Sequence, residues 1–150
     1  MTRITPIPMT KLSDQLLRSA IGEEPRILYS VLYRINVGKS FNDIPSKFTL
    51  GTGHMTFFFN KCEYIFHHYL LLRQEYVQRF YKRYSIEHLS TQTDRYAKIA
   101  VLRPDLCQNY VIPQEAIDIV LNRILERSKE YKQHTYYGKP IKNWKKFLNK

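Results

Sequence analysis

Apolar residues recur at helical spacing through most of the chain. Leu12, Leu16, Leu17 and Ala20 share one face behind Thr10, a cap-forming residue, and the pattern breaks at Gly22-Glu23-Glu24. From Pro25, which suits a first helical turn, Ile27, Leu28, Val31, Leu32 and Ile35 carry a second helix to Gly38. Glu23 is thereby expected at a helix N-terminus, where the backbone dipole favours a carboxylate. Between Thr56 and about Tyr84 one stripe runs through Cys62, Ile65, Phe66, Tyr69, Leu72, Tyr76 and Phe80, with Lys61, Arg73, Arg79 and Lys82 largely elsewhere. This segment is the expected central helix. Pro113 opens another, reaching about Tyr131 with Ala116, Ile117, Val120, Leu121 and Ile124 inward. Residues 85–112 hold Ser85, Thr91, Thr93, Asp94 and Pro104 without steady periodicity and read as a long connection. No stretch shows sustained strand alternation. The expected fold is all-α, a compact single domain over residues 1–150 on about three main helices with long connecting loops.

Charge adds a partner class to this picture. Lys and Arg number 24 against 13 Asp and Glu, a net +11 over 150 residues, and a field of that sign draws phosphate through counterion release. With 43% hydrophobic and 14% aromatic residues the chain can build a core. Six of the eleven net charges fall in a basic aromatic tail, residues 131–150: Lys132, Lys139, Lys142, Lys145, Lys146 and Lys150, facing no acidic residue there. They alternate with Tyr131, Tyr136, Tyr137, Trp144 and Phe147, a pattern that suits phosphate contact plus stacking on a displaced base. The competing reading has the aromatics pin the tail to the core.

Other chemistries fail on spacing. Gly38-Lys39-Ser40 ends like a phosphate loop, but that motif requires glycine where Tyr33 stands. Cys62, His67 and His68 lack the paired ligand spacing of a zinc site, and no metal or other cofactor is expected. Cys62 and Cys107 form no Cys-x-x-Cys pair and read as reduced thiols in an intracellular protein. No apolar run is long enough to span a bilayer, and Met1 to Thr10 lacks a signal-peptide core.

Chemistry is carried by the start of the chain. Removal of Met1 before the small Thr2 leaves an α-amine, with a pKa of roughly 7.7–8.0, beside Arg3; a useful fraction of such an amine is an uncharged nucleophile near neutral pH. This start, together with Glu23, Pro25-Arg26, Gly38-Lys39, Leu50-Gly51-Thr52-Gly53-His54-Met55-Thr56-Phe57-Phe58, Lys61, Ile112-Pro113, Glu115-Ala116 and Tyr136-Tyr137-Gly138-Lys139, resembles the phage pyrimidine-dimer DNA glycosylase and abasic-site lyase family. The matches run in order over about residues 1–141.

The resemblance implies a mechanism and a set of residues. In such enzymes the N-terminal amine, here that of Thr2, attacks the sugar C1′, expels the base and forms an iminium, and Glu23 matches the glutamate that assists β-elimination. On chemistry alone Glu24 competes for that role, but Glu23 holds the register relative to Pro25-Arg26. Arg3, Gln15 and Arg26 match residues of the DNA-contacting face; Lys39, Arg123, Tyr136, Tyr137 and Lys139 are further expected contacts. The implied partner is double-stranded DNA with a damaged site, bent so that a nucleotide is extruded, and the protein is expected to act as a monomer.

Two positions depart from the phage pattern: Gly22 replaces an arginine and Leu16 a histidine. An abasic-site lyase, a glycosylase for other damaged bases, and a noncatalytic DNA-binding protein on the same scaffold therefore stand as alternatives to pyrimidine-dimer repair. His54, alone beside two glycines, reads as a structural residue.

Overall fold

A computed structural model describes residues 4–149. It is mostly helical, 61% of it, with one two-stranded ribbon. In place of about three main helices it has five of ten or more residues and a short sixth: α1 Asp14–Glu23, α2 Arg26–Val37, α3 Cys62–Phe80, α4 Ile86–Leu102, α5 Gln114–Arg127 and α6 Trp144–Leu148.

Thr10 does not cap α1. It sits in a single 3-10 turn, Met9–Lys11, and the cap is Ser13, whose Oγ accepts from the Leu16 N–H at 3.1 Å. The helix then runs straight through Gly22, so Glu23 is its last residue rather than the opening of the next helix. The Glu24 N–H still closes onto the Ala20 carbonyl at 2.9 Å, and Pro25 starts α2 one residue further on. Helix α2 ends at Gly38, where φ is 73° and a side chain would strain the left-handed cap.

Residues 86–102, expected as a connection, form the seventeen-residue α4. Ser85 caps it, accepting from the His88 N–H at 3.1 Å, and Leu89, Gln92, Tyr96 and Ile99 form its inward stripe. Gln92 is only 4% exposed. That glutamine, at a place where the period asks for an apolar residue, together with Thr91, Thr93 and Asp94, masks the helix in the sequence.

Two packed clusters share α3. Ile4, Ile27, Leu28, Val31, Phe57, Phe58, Phe59, Ile65 and Ile99 build the first. Leu12, Leu17, Ile21, Tyr69, Leu72, Val120, Ile124, Trp144 and Leu148 build the second, and Phe48 and Phe66 pack against both. Trp144 and Leu148 are buried, at 8% and 4% exposure, so these residues pin the tail to the core while Lys139, Lys142, Lys145 and Lys146 stay exposed.

The tail also holds the ribbon that the sequence concealed: β1 Thr135–Tyr136 pairs antiparallel with β2 Lys139–Pro140. Its two-residue turn, Tyr137-Gly138, has φ of 51° and 78°, the mirror-image turn whose twist suits a tight hairpin. Asp14, 2% exposed, fastens it to α1. The carboxylate accepts from Thr135 Oγ1 at 2.6 Å, Gly138 N at 2.9 Å, Tyr137 N at 3.1 Å and Arg79 Nη1 at 3.2 Å.

Arg79 was expected off the core stripe, yet it is 5% exposed. It donates to the carbonyls of Met9 and Leu12, both at 2.7 Å, and to Glu75 at 2.8 Å. Its planar fork matches several acceptors at once, which is how an arginine is accommodated in a core.

Candidate active site

A cleft of about 380 Å³ opens between α1 and α5. Gln15, Leu16, Ser19, Ala20 and Glu23 line one wall, and Val120, Arg123, Ile124 and Arg127 the other; Leu50, Glu130, Tyr131 and His134 complete it. Ile4 and Thr5 line it too, bringing the start of the described chain to the same space.

Two buried anchors hold that N-terminal segment. Ile4, fully buried, donates its N–H to His54 Nε2 at 2.9 Å. His54 Nδ1 lies 2.7 Å from the Thr49 carbonyl, which can only accept, so the proton of the neutral ring sits on Nδ1 and Nε2 is left as the acceptor. Burial holds the His54 pKa below its ordinary value despite the Thr49 carbonyl and the Glu24 charge, in keeping with a neutral ring. The histidine is thus structural, as its setting beside two glycines suggested. His54→Ala orphans the Ile4 N–H and removes edge contacts to Phe48 and Phe58; denaturant titration should show a loss of about 2–4 kcal/mol.

Glu24 is the second anchor. It is fully buried, with Oε1 accepting from the Thr5 N–H at 2.9 Å and the Thr5 hydroxyl at 3.0 Å, and Oε2 bonded to His68 Nδ1. A carboxylate so enclosed cannot reach a substrate, which removes Glu24 as a rival to the half-buried Glu23.

The other expected residues divide. Gln15, Glu23 and Arg123 meet at the cleft. Gln15 is also tied to the hairpin, its Oε1 accepting from Thr135 N at 2.9 Å. Arg123 lies 3.5 Å from Glu126 in an exposed pair of little energetic weight. Arg26, at the start of α2, and Lys39, just past its end, are exposed and do not line the cleft. Tyr136 and Tyr137 lie over the Arg79 guanidinium, at 4.6 and 5.3 Å from ring centre to carbon. Tyr136 and Lys139 border a separate groove with Lys142, Lys146 and Phe147. Thr2 and Arg3 lie outside the described residues.

Arg127, Glu130 and His134 were not singled out by the sequence, and Tyr131 was read only as one of the tail aromatics. The histidine and tyrosine rings stack 4.4 Å apart, and Ser13 Oγ lies 2.8 Å from His134 Nδ1. Burial lowers the pKa of His134 and raises that of Tyr131, so both are neutral at pH 7 and present aromatic surface and hydrogen-bonding groups rather than charge. The signal available in the sequence was the spacing of Arg123 and Arg127, four apart on one helical face.

The departures from the phage pattern also have places. Leu16 lines the cleft beside Gln15, an apolar side chain at the position where the phage pattern has a histidine. At Gly22 a Cβ would meet nothing within 4 Å. A competing amine is Lys61, whose pKa burial lowers. Its Nζ is held over the Phe57 ring at 3.8 Å and donates to the Phe57 carbonyl at 2.7 Å, and it does not line the cleft.

Among the described residues no group of three or more His, Cys, Asp or Glu is arranged to hold a metal ion, and no helix is long and apolar enough to cross a membrane. Fold and cleft together define a mostly helical protein in which residues 4 and 5, two carboxylates and two arginines converge between two helices. No family model matches the chain.

Proposed function

We propose that this cleft carries out amine-dependent repair of DNA: removal of a damaged base, with cyclobutane pyrimidine dimers as the lead substrate, followed by cleavage at the abasic site. The observation that carries the proposal is the meeting of Ile4 and Thr5 with Glu23 in one cleft. Thr2 precedes Ile4 by two residues, a length of chain that spans at most about 7 Å. The ordered matches to the phage glycosylase and lyase family support the same reading.

In the proposed sequence the neutral Thr2 nitrogen forms a bond to C1′ as the bond from C1′ to the base breaks. The sugar ring then opens to a protonated imine. Withdrawal of electrons by that imine acidifies the 2′ hydrogen; Glu23 takes the proton, the electron pair forms the C2′–C3′ double bond, and the 3′ phosphate departs. Water hydrolyses the imine and restores the amine. Arg3 and Arg26, as expected DNA contacts, and Arg123 and Arg127 on the far wall supply positive charge for the phosphates, and the net charge of +11 draws the duplex in.

Borohydride capture tests the proposal, using chain whose mature N-terminus is verified by mass. A covalent complex is expected on a duplex with an abasic site and on one with a thymine dimer, and neither should form when the N-terminal amine is acetylated. Capture on the abasic duplex alone would favour a lyase without dimer recognition, a reading that the apolar side chain of Leu16 and the missing one of Gly22 support. Binding without capture on either would favour a noncatalytic DNA-binding protein.

A further inference from the structure

Glu24 and His68 form a buried pair that the proposed chemistry does not use. The carboxylate lies at the junction of α1 and α2, immediately after Glu23. It takes two hydrogen bonds from Thr5, at 2.9 and 3.0 Å, and a third contact from His68 on α3. Side-chain exposure is 0% for Glu24 and 6% for His68. The Tyr64 ring stacks on the imidazole at 5.4 Å with an interplanar angle of 14°, leaving it little room to turn.

Two structural facts argue against a purely stabilising role. First, burying an ion pair is energetically poor compared with apolar residues of the same shape. Second, Glu24 sits where it ties the segment leading to the N-terminal amine directly to the residue beside the catalytic carboxylate. A hydrophobic side chain at position 24 would fill the same space but could not accept the Thr5 N–H.

We propose that Glu24, braced by His68, is a positioning residue that fixes the N-terminal segment in register with Glu23, so that the amine and the proton-accepting carboxylate face the same sugar. The inference rests on the amine-dependent reading above. Burial opposes a charged His68, but the Glu24 charge and hydrogen bond outweigh it and hold the His68 pKa above its ordinary value. The other titratable groups facing the pair are Tyr64, against the imidazole, and His54, whose ring feels the Glu24 charge.

The test compares single-turnover borohydride capture at saturating protein on an abasic-site duplex with affinity for a duplex carrying an uncleavable tetrahydrofuran analogue. Glu24→Gln keeps an acceptor for Thr5 and should capture within roughly threefold of wild type. Glu24→Leu combined with His68→Leu removes the clamp without stranding a charge. It should bind the analogue duplex within roughly threefold yet capture roughly 10- to 100-fold more slowly, the scale of a misplaced reacting group. Thr5→Ala, which leaves the buried pair intact, should slow capture in the same direction if the double variant does not fold. Wild-type capture rates in the folded double variant, or in Thr5→Ala, overturn the inference while leaving the amine mechanism standing. Absence of capture by the wild type overturns both.

Discussion

Replacing Glu23 with glutamine is expected to reduce strand cleavage by on the order of 10²- to 10⁴-fold, the range that a well-placed general base contributes. Glutamine keeps the shape of the side chain and cannot take the 2′ proton. Glu23 is half-buried at the end of α1 and lines the cleft, so the change should leave the fold and duplex affinity near wild type. In the proposed mechanism imine formation depends on the amine, and the borohydride-trapped complex should therefore accumulate in the variant as elimination stalls. Gel analysis of trapped and cleaved products on an abasic duplex separates the two steps. Cleavage within tenfold of wild type would remove Glu23 from the mechanism, and Glu130, the other carboxylate in the cleft, would be the next residue to vary.

Asp14→Ala should destabilise the protein by about 3–5 kcal/mol, the cost of breaking a buried ion pair from one side. The substitution takes four donors away from their acceptor: the Thr135 hydroxyl, the N–H groups of Tyr137 and Gly138, and the Arg79 guanidinium. Arg79 retains Glu75 and two carbonyls but loses its second carboxylate. Because the same carboxylate fastens the hairpin to α1, protease cleavage should appear first between residues 133 and 142.

The pH dependence has a definite sign. Burial raises the Asp14 pKa, but the bonds from Thr135, Gly138, Tyr137 and Arg79 outweigh it and leave the folded value below 3.8. A carboxyl depressed in the folded state stabilises fully above its unfolded pKa and loses that contribution as pH falls through the folded one. Denaturation curves of the wild type should therefore lose this contribution only below about pH 3.8. Asp14→Asn should lack that part of the acid limb.

Hydrophobic period carried the helices that bury mainly apolar residues. Leu17 and Ala20 mark α1, Ile27, Leu28 and Val31 mark α2, and Ala116, Val120 and Ile124 mark α5, each set buried, while Leu12, read on the same stripe, precedes the α1 cap. What stayed hidden is the polar part of the interior. Gln92 interrupts the stripe of α4, and Arg79 and Asp14 are residue types that normally face solvent. Their burial is decided by partners far away in sequence, which local periodicity cannot report. The candidate site divides in the same way. Glu23 and Gln15 were legible from their register in the phage pattern and Arg123 only as a basic residue, whereas Glu24 became intelligible only with His68 and Thr5 in place around it. Tyr131 and His134 join the cleft because α6 packs back against α5 and the hairpin against α1, a tertiary fact with no local signature.

The cleft draws on Ile4 and Thr5, on α1, on Leu50 and on residues 120–134. During synthesis Glu23 emerges early, while the opposite wall follows about a hundred residues later, a delay of roughly 5–20 seconds at ordinary translation rates. A nascent chain thus carries Glu23 without the arginines of the opposite wall, and the cleft is completed only late in translation. Under the proposed function, strand breakage therefore becomes possible only once residues 120–134 have been made.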